Sequence, residues 1–187
     1  MDLSDLTGKI LIAMPGLPDD RFAHSVILIC AHSDEGAMGL MINKPVGGMQ
    51  FADLLQQLDL PPGPQSSVTT VRTGGPVEGE RGFVVHSDDY SSPISSMQIA
   101  PGLAMTATLD VIEDIAIGDG PDRALVMLGY CGWGAGQLEG EIAQNGWLLG
   151  PSDCDLIFAE DDAAKWNGAL KAQGIDALSL SSSAGTA

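Results

Sequence analysis

Basic side chains are scarce in this chain: 8 Lys and Arg stand against 25 Asp and Glu, a formal net charge of −17 over 187 residues. The eight lie singly, at Lys9, Arg21, Lys44, Arg72, Arg81, Arg123, Lys165 and Lys171. Nucleic-acid binding draws much of its affinity from Lys and Arg neutralising phosphates, so this balance argues against a direct nucleic-acid partner and for solubility or a basic protein partner. Cysteine is equally sparse. Cys30, Cys131 and Cys154 are odd in number, far apart, and form no C-x-x-C, which argues against a disulfide framework and a zinc site and for reduced, buried thiols. No apolar run approaches the roughly 20 residues of a membrane-spanning helix. The N-terminal MDLSDLTGK has neither a basic n-region nor a long apolar h-region, so the expectation is a cytoplasmic protein with no membrane partner.

The chain contains enough apolar residue, 44%, for one well-buried core, and no break in composition marks a second domain, so residues 1–187 read as one domain. Ile10 to Met14 is a strand stopped by Pro15-Gly16. Ser25 to Ala31 and Ala37 to Ile42 are apolar without alternation, as in strands covered on both faces, and are joined as a hairpin. Asn43-Lys44-Pro45 ends the second of these, and Gly47-Gly48 continues the loop. Phe51, Leu54, Leu55 and Leu58 recur at i, i+3, i+4 and i+7, which predicts a helix over Gln50 to Leu58. Pro61 to Ser67 reads as a loop. Val68 to Arg72 and Gly82 to His86 read as strands, separated by the Thr73-Gly74-Gly75-Pro76 turn and the polar Glu78 to Arg81 connection.

A long polar link spans Ser87 to Gly102 and leads to Leu103–Leu109. Asp110 is placed to cap a helix through Ile117. Leu125 to Tyr130 is the central strand, and a glycine-rich turn leads to a helix beginning at Gln137 and stopped by Asn145-Gly146. Trp147 to Leu149 and Asp155 to Phe158 read as closing strands, Asp161 to Gln173 as a last helix, and Ser179 to Ala187 as a small, polar tail. Strands follow one another too directly for a regular βαβ series, so the fold class is α+β, with a curved, mixed and largely antiparallel central sheet and short flanking helices.

In order along the chain, GKILIAMPGLPDDRFAHSVILIC, GAMGLMINKP, GGPV, FVVH, LGYCGWGAGQLEGEI, NGWLL and the closing GTA resemble the successive blocks of the AlgH/YqgE family of bacterial proteins. Cys131 stands where that family more often has a small residue such as alanine, a departure that preserves size. The resemblance implies a compact α+β fold with a curved central sheet. By name it implies regulation of alginate synthesis and a transcriptional-regulator role, and it implies no particular reaction; the charge argues against direct DNA contact.

Four loops gather the residues with chemical potential. Asn43 and Lys44 follow the hairpin. Gly74, Gly75 and Pro76 form a turn that suits close approach of another backbone, although its amides could face an anion. His86 closes a strand beside Ser87, Asp88 and Asp89; adjacent residues on one strand end point in different directions, so a convergent triad is disfavoured. Gly132, Trp133, Gln137 and Glu141 occupy the glycine turn and the helix after it, with Gln137 and Glu141 at i and i+4. Glu139 and Glu141 already complement that helix's dipole, and there is no P-loop lysine, which lowers the case for phosphate. His24 and His32, flanking a strand, read as surface residues. No nucleophile with a base, no metal cluster and no cofactor fingerprint stands out. The expectation is a non-catalytic regulatory protein that binds a protein or small-molecule partner. The alternatives are a small hydrolase using His86 with a carboxylate such as Glu141, and a DNA-binding regulator.

Overall fold

The computed structural model describes residues 3–182, and the closing GTA lies outside them. It divides into two compact units, residues 1–43 with 132–187 and residues 44–131.

In the first unit the unalternating apolar runs become β1 (Lys9–Ala13), β2 (Val26–Ser33) and β3 (Gly36–Met41). Ile10, Leu11, Ile12 and Val26 through Ile29 are all at most 2% exposed, which is why these strands lack a polar face. Each such side chain contributes roughly 1.5–3 kcal/mol on burial. β1 pairs antiparallel with β2 and with Trp147–Pro151, and β2 pairs antiparallel with β3.

In the second unit β4 (Pro45–Gln50) pairs with β5 (Thr70–Thr73), where the sequence suggested only loop before the helix. α1 (Phe51–Gln57) follows, its first turn closed by the Gln50 amide donating to Asp53 Oδ2 at 2.7 Å. β6 (Val77–Ser87) is longer than expected because the polar Glu78–Arg81 stretch is part of it, entering through a register shift between Val77 and Gly82. The polar link contains β7 (Met97–Ala100), paired with β8 (Leu103–Thr106). α2 (Leu109–Ile117) begins after Thr108 and not after Asp110. The Asp110 carboxylate accepts instead from the hydroxyls of Ser92 and Thr108, tying the polar link to the helix. Phe51, Leu54, Leu55, Val71, Val84, Val111, Ile112 and Val126 form this unit's core.

β9 (Ala124–Gly134) pairs antiparallel with β6 and parallel with β5. It runs four residues past the expected end at Tyr130, through most of the glycine-rich turn. α3 (Gln137–Ala143), β10 (Trp147–Pro151), α4 (Cys154–Ile157), α5 (Asp162–Ala172) and α6 (Ala177–Ser182) complete the described chain. The fold is α+β, as the element pattern implies. The expected strand at Asp155–Phe158 is wrong: Asp153 caps a turn of helix there by accepting from the Asp155 amide at 2.9 Å. Among the described residues no helix is long and apolar enough to cross a membrane.

Candidate functional site

The glycine turn of the first unit is built around one carboxylate. Gly136, at φ +72, opens α3, so that Gln137 and Glu141 stack one turn apart. Glu141 Oε2 accepts the indole N–H of Trp133 at 3.0 Å and that of Trp147 at 2.8 Å, while Oε1 accepts from Gln137 Nε2 at 3.1 Å. Gln137 Oε1 in turn accepts from the Gly134 amide at 3.0 Å. Trp133 and Trp147 are 7% and 3% exposed and meet edge to face. Burying two indoles requires an acceptor for two N–H donors, and Glu141 supplies it. Glu141→Gln, which keeps the size but breaks this donor–acceptor pattern, is expected to lower stability by about 1–3 kcal/mol in urea denaturation.

Trp133 forms one wall of a shallow groove of about 340 Å³ whose other walls are His32, Ser33, Glu35, Gly36 and Met38 of the β2–β3 hairpin. Gly36 is required there. At φ +143, a Cβ on it would lie 2.2 Å from the Trp133 carbonyl oxygen. A larger hollow of about 630 Å³, bordered by Lys171, Asp176 and Leu178, lies near the C-terminal end of the described chain and contains none of the expected site residues.

His32 is the feature that sequence reasoning missed. Its side chain is 3% exposed, not a surface group. Nδ1 accepts from the Leu6 amide at 3.2 Å, and Nε2 lies 2.7 Å from Glu139 Oε1. Glu139 is held below the usual carboxylate range, first by its own backbone amide and then by His32. The only signal in the sequence was a histidine following an apolar strand. His24 does lie at the surface, at φ +55. Its carbonyl accepts from Asn43 Nδ2 at 2.9 Å, and Asn43 Oδ1 accepts from the Val26 amide at 2.9 Å. Asn43 is therefore a backbone clamp on the start of β2, with its amide consumed at both ends. Gly132 is exposed in the last stretch of β9.

The remaining expected residues belong to the second unit. The Lys44 carbonyl accepts from the Thr73 amide at 2.8 Å, and partial burial pulls its ammonium below the ordinary lysine range. The Gly74 amide donates to the Leu128 carbonyl at 2.7 Å, and the Gly74 carbonyl faces Cys131 Sγ at 3.4 Å. Gly75, at φ +156, passes so near Tyr130 that a Cβ would lie 2.2 Å from its carbonyl carbon. Pro76 is exposed. The turn is thus a backbone crossing.

His86 is fully buried. Nδ1 faces the Ser87 carbonyl at 2.8 Å and must carry the proton, so Nε2 accepts from Thr106 Oγ1 at 2.8 Å. Thr106 in turn accepts from Ser96 Oγ at 2.6 Å, and Ser96 accepts from the Ser92 amide at 2.8 Å. This chain of bonds ends in the Asp110 carboxylate. Burial, which would raise that carboxyl, is outweighed by the Ser92 and Thr108 hydroxyls, and it stays below the usual range. His86 thus anchors the polar link. Its partners are one hydroxyl and a carbonyl, and those of Glu141 are two indoles and an amide, so neither group is committed to the other as base and orienter. Of the thiols, Cys30 and Cys131 are buried as expected, and Cys154 is half-exposed. Among the described residues no group of three or more His, Cys, Asp or Glu is placed to hold a metal ion.

Residues 10–178 match the AlgH-like family, DUF179. A UPF0301 protein of Ruegeria pomeroyi is 54% identical over 98% of this chain and all of its own length, and one of Cereibacter sphaeroides is 51% identical over the same shares. The solution structure of the AlgH protein from Pseudomonas aeruginosa is 38% identical, with a TM-score of 0.81, over 100% of this chain and 98% of that one. A crystal structure of a Corynebacterium diphtheriae protein, 20% identical with a TM-score of 0.73 over 93% of this chain and 90% of that one, shares the fold.

Proposed function

The chain belongs to the AlgH-like family, and we propose that it is a non-catalytic binding protein of the cytoplasm with a regulatory role, whose recognition surface is the groove between the β2–β3 hairpin and Trp133. The observation that carries this reading is the groove itself, about 340 Å³ and walled by an indole that Glu141 fixes in place. A pre-set aromatic wall beside a few polar groups is the usual composition of a ligand site, because rigid contacts lose little entropy on binding. The net charge of −17 favours a neutral or basic protein or small-molecule partner over nucleic acid. The hydrolase alternative gains nothing from His86, whose two ring nitrogens are both engaged in holding the polar link.

The test is an NMR screen of a mixed metabolite and peptide library against the uniformly labelled full chain. Ligands are expected to shift the amides of residues 31–38 and the Trp133 indole, and the shifts should vanish in Ser33→Trp, which fills the groove from an exposed wall position. Ligands that map to the Lys171–Leu178 hollow, or any hydrolytic turnover lost in His86→Asn, would refute the reading.

A further inference from the structure

The His32 ring joins two segments far apart in sequence: the residues before β1, through Leu6, and α3, through Glu139. An amide N–H directed at Nδ1 requires a lone pair there, so the ring proton resides on Nε2 and is donated to Glu139; the ring in this state is neutral. Carboxylates on two elements act on it. Asp5 approaches from the N-terminal segment, its own oxygen accepting from the Thr7 amide at 2.9 Å, and Glu139 approaches from α3. Glu35, from the hairpin turn, lines the same groove as His32.

We propose that His32 is a proton-operated latch on this unit. A proton taken from solvent onto Nδ1 turns an acceptor into a donor facing another donor, so the Leu6 bond is lost. No other covalent bond changes. The contact with Glu139 meanwhile becomes an ion pair. Leu6 is 1% exposed, so its amide, once deprived of the ring, must find water or another acceptor, and the N-terminal segment has to move to provide either. The docked state belongs to the neutral ring. It is lost when Nδ1 takes a proton, because the ring then has no lone pair to offer the Leu6 amide. The tightened side of the latch is α3, whose Gln137 and Glu141 hold the Trp133 turn, and His32 itself walls the groove. Acidification therefore frees the N-terminal segment and grips α3, which holds the Trp133 wall of the groove. The functional meaning of this regulation rests on the groove reading, but the latch itself does not.

Amide hydrogen exchange of the full chain between pH 8 and pH 5, corrected for intrinsic rates, tests it. Protection of the Leu6 amide is expected to fall about tenfold across this range, the equilibrium equivalent of one hydrogen bond. The Gly8 amide, which donates to the Ile29 carbonyl, should hold its protection. His32→Gln should abolish the pH dependence. If that variant does not fold, Glu139→Gln serves instead: with the counter-charge gone, the Leu6 transition should move to lower pH. A Leu6 amide that tracks Gly8 at every pH, or a transition that persists in His32→Gln or stays in place in Glu139→Gln, would overturn the latch. Failure of ligands to map to the groove would sink the proposed function and leave the Leu6 measurement intact.

Discussion

Gly75→Ala is expected to cost about 3–5 kcal/mol in a urea or thermal unfolding experiment, while Gly47→Ala, another glycine of the candidate loops, should stay within about 1 kcal/mol of the parent or gain slightly. The two positions differ in backbone φ and in the room left for a Cβ. At Gly75 the backbone has φ +156, and an added Cβ would lie 2.2 Å from the Tyr130 carbonyl carbon, 2.3 Å from its oxygen and 2.5 Å from the Cys131 nitrogen. These are backbone atoms, and β9, to which they belong, is paired on both sides and cannot withdraw without breaking ladder bonds. Gly129 makes the reciprocal approach, its φ at +75 and its hypothetical Cβ 2.3 Å from the Gly75 carbonyl oxygen. At Gly47 nothing lies within 4 Å and φ is not in the left-handed region. There an alanine only removes conformational freedom from the unfolded chain. A near-neutral Gly75→Ala would mean that the backbones do not cross so closely and would return the turn to the list of ligand-facing loops.

That contrast also shows what a sequence can and cannot disclose. Strand and helix periods exposed most of the elements: the unalternating apolar runs of β1, β2 and β3 and the i, i+3, i+4, i+7 stripe of α1 are consequences of which faces are covered. The convergence of Trp133, Gln137 and Glu141 was partly legible, because i and i+4 on one helix must share a face. The identity of their partners was not. Trp147 reaches the same carboxylate oxygen from β10, and no local spacing announces a contact between separate elements. His32 was misread for the same reason, since its burial depends on Leu6, 26 residues before it, and on Glu139, 107 residues after. The Asp155–Phe158 segment was misassigned because four apolar-rich residues fit a short strand and a single helical turn equally well, and only the Asp153 cap decides between them. β4 was missed because Pro45, Gly47 and Gly48 interrupt it, and β7 because four residues inside a polar link are too few to carry a periodic signal.

The second large effect concerns a cation that the sequence displays as one of eight scattered basic residues. Lys165, in the first turns of α5, is 1% exposed; Nζ lies 2.9 Å from Asp162 Oδ1 and donates to the Ile42 carbonyl at 3.1 Å. Asp162→Ala removes the carboxylate that compensates a buried ammonium and is expected to destabilise the protein by about 3–5 kcal/mol. Asp162 also occupies the first turn of its helix, where a negative charge is favourable, adding about 0.3–1 kcal/mol to the loss. Lys165→Met keeps the length and volume of the side chain but needs no desolvation of a charge. It leaves Asp162, 11% exposed, with some access to water, and so should cost less than half as much. The decisive variant is the double one. With both charges gone, Asp162→Ala/Lys165→Met should recover most of the stability lost in Asp162→Ala alone, because the large single-mutant effect measures an uncompensated charge and not the worth of the pair. If the two single substitutions cost the same and the double variant costs their sum, the two groups are uncoupled, and the burial of Lys165 must be sustained by the Ile42 carbonyl and the packing of its stem.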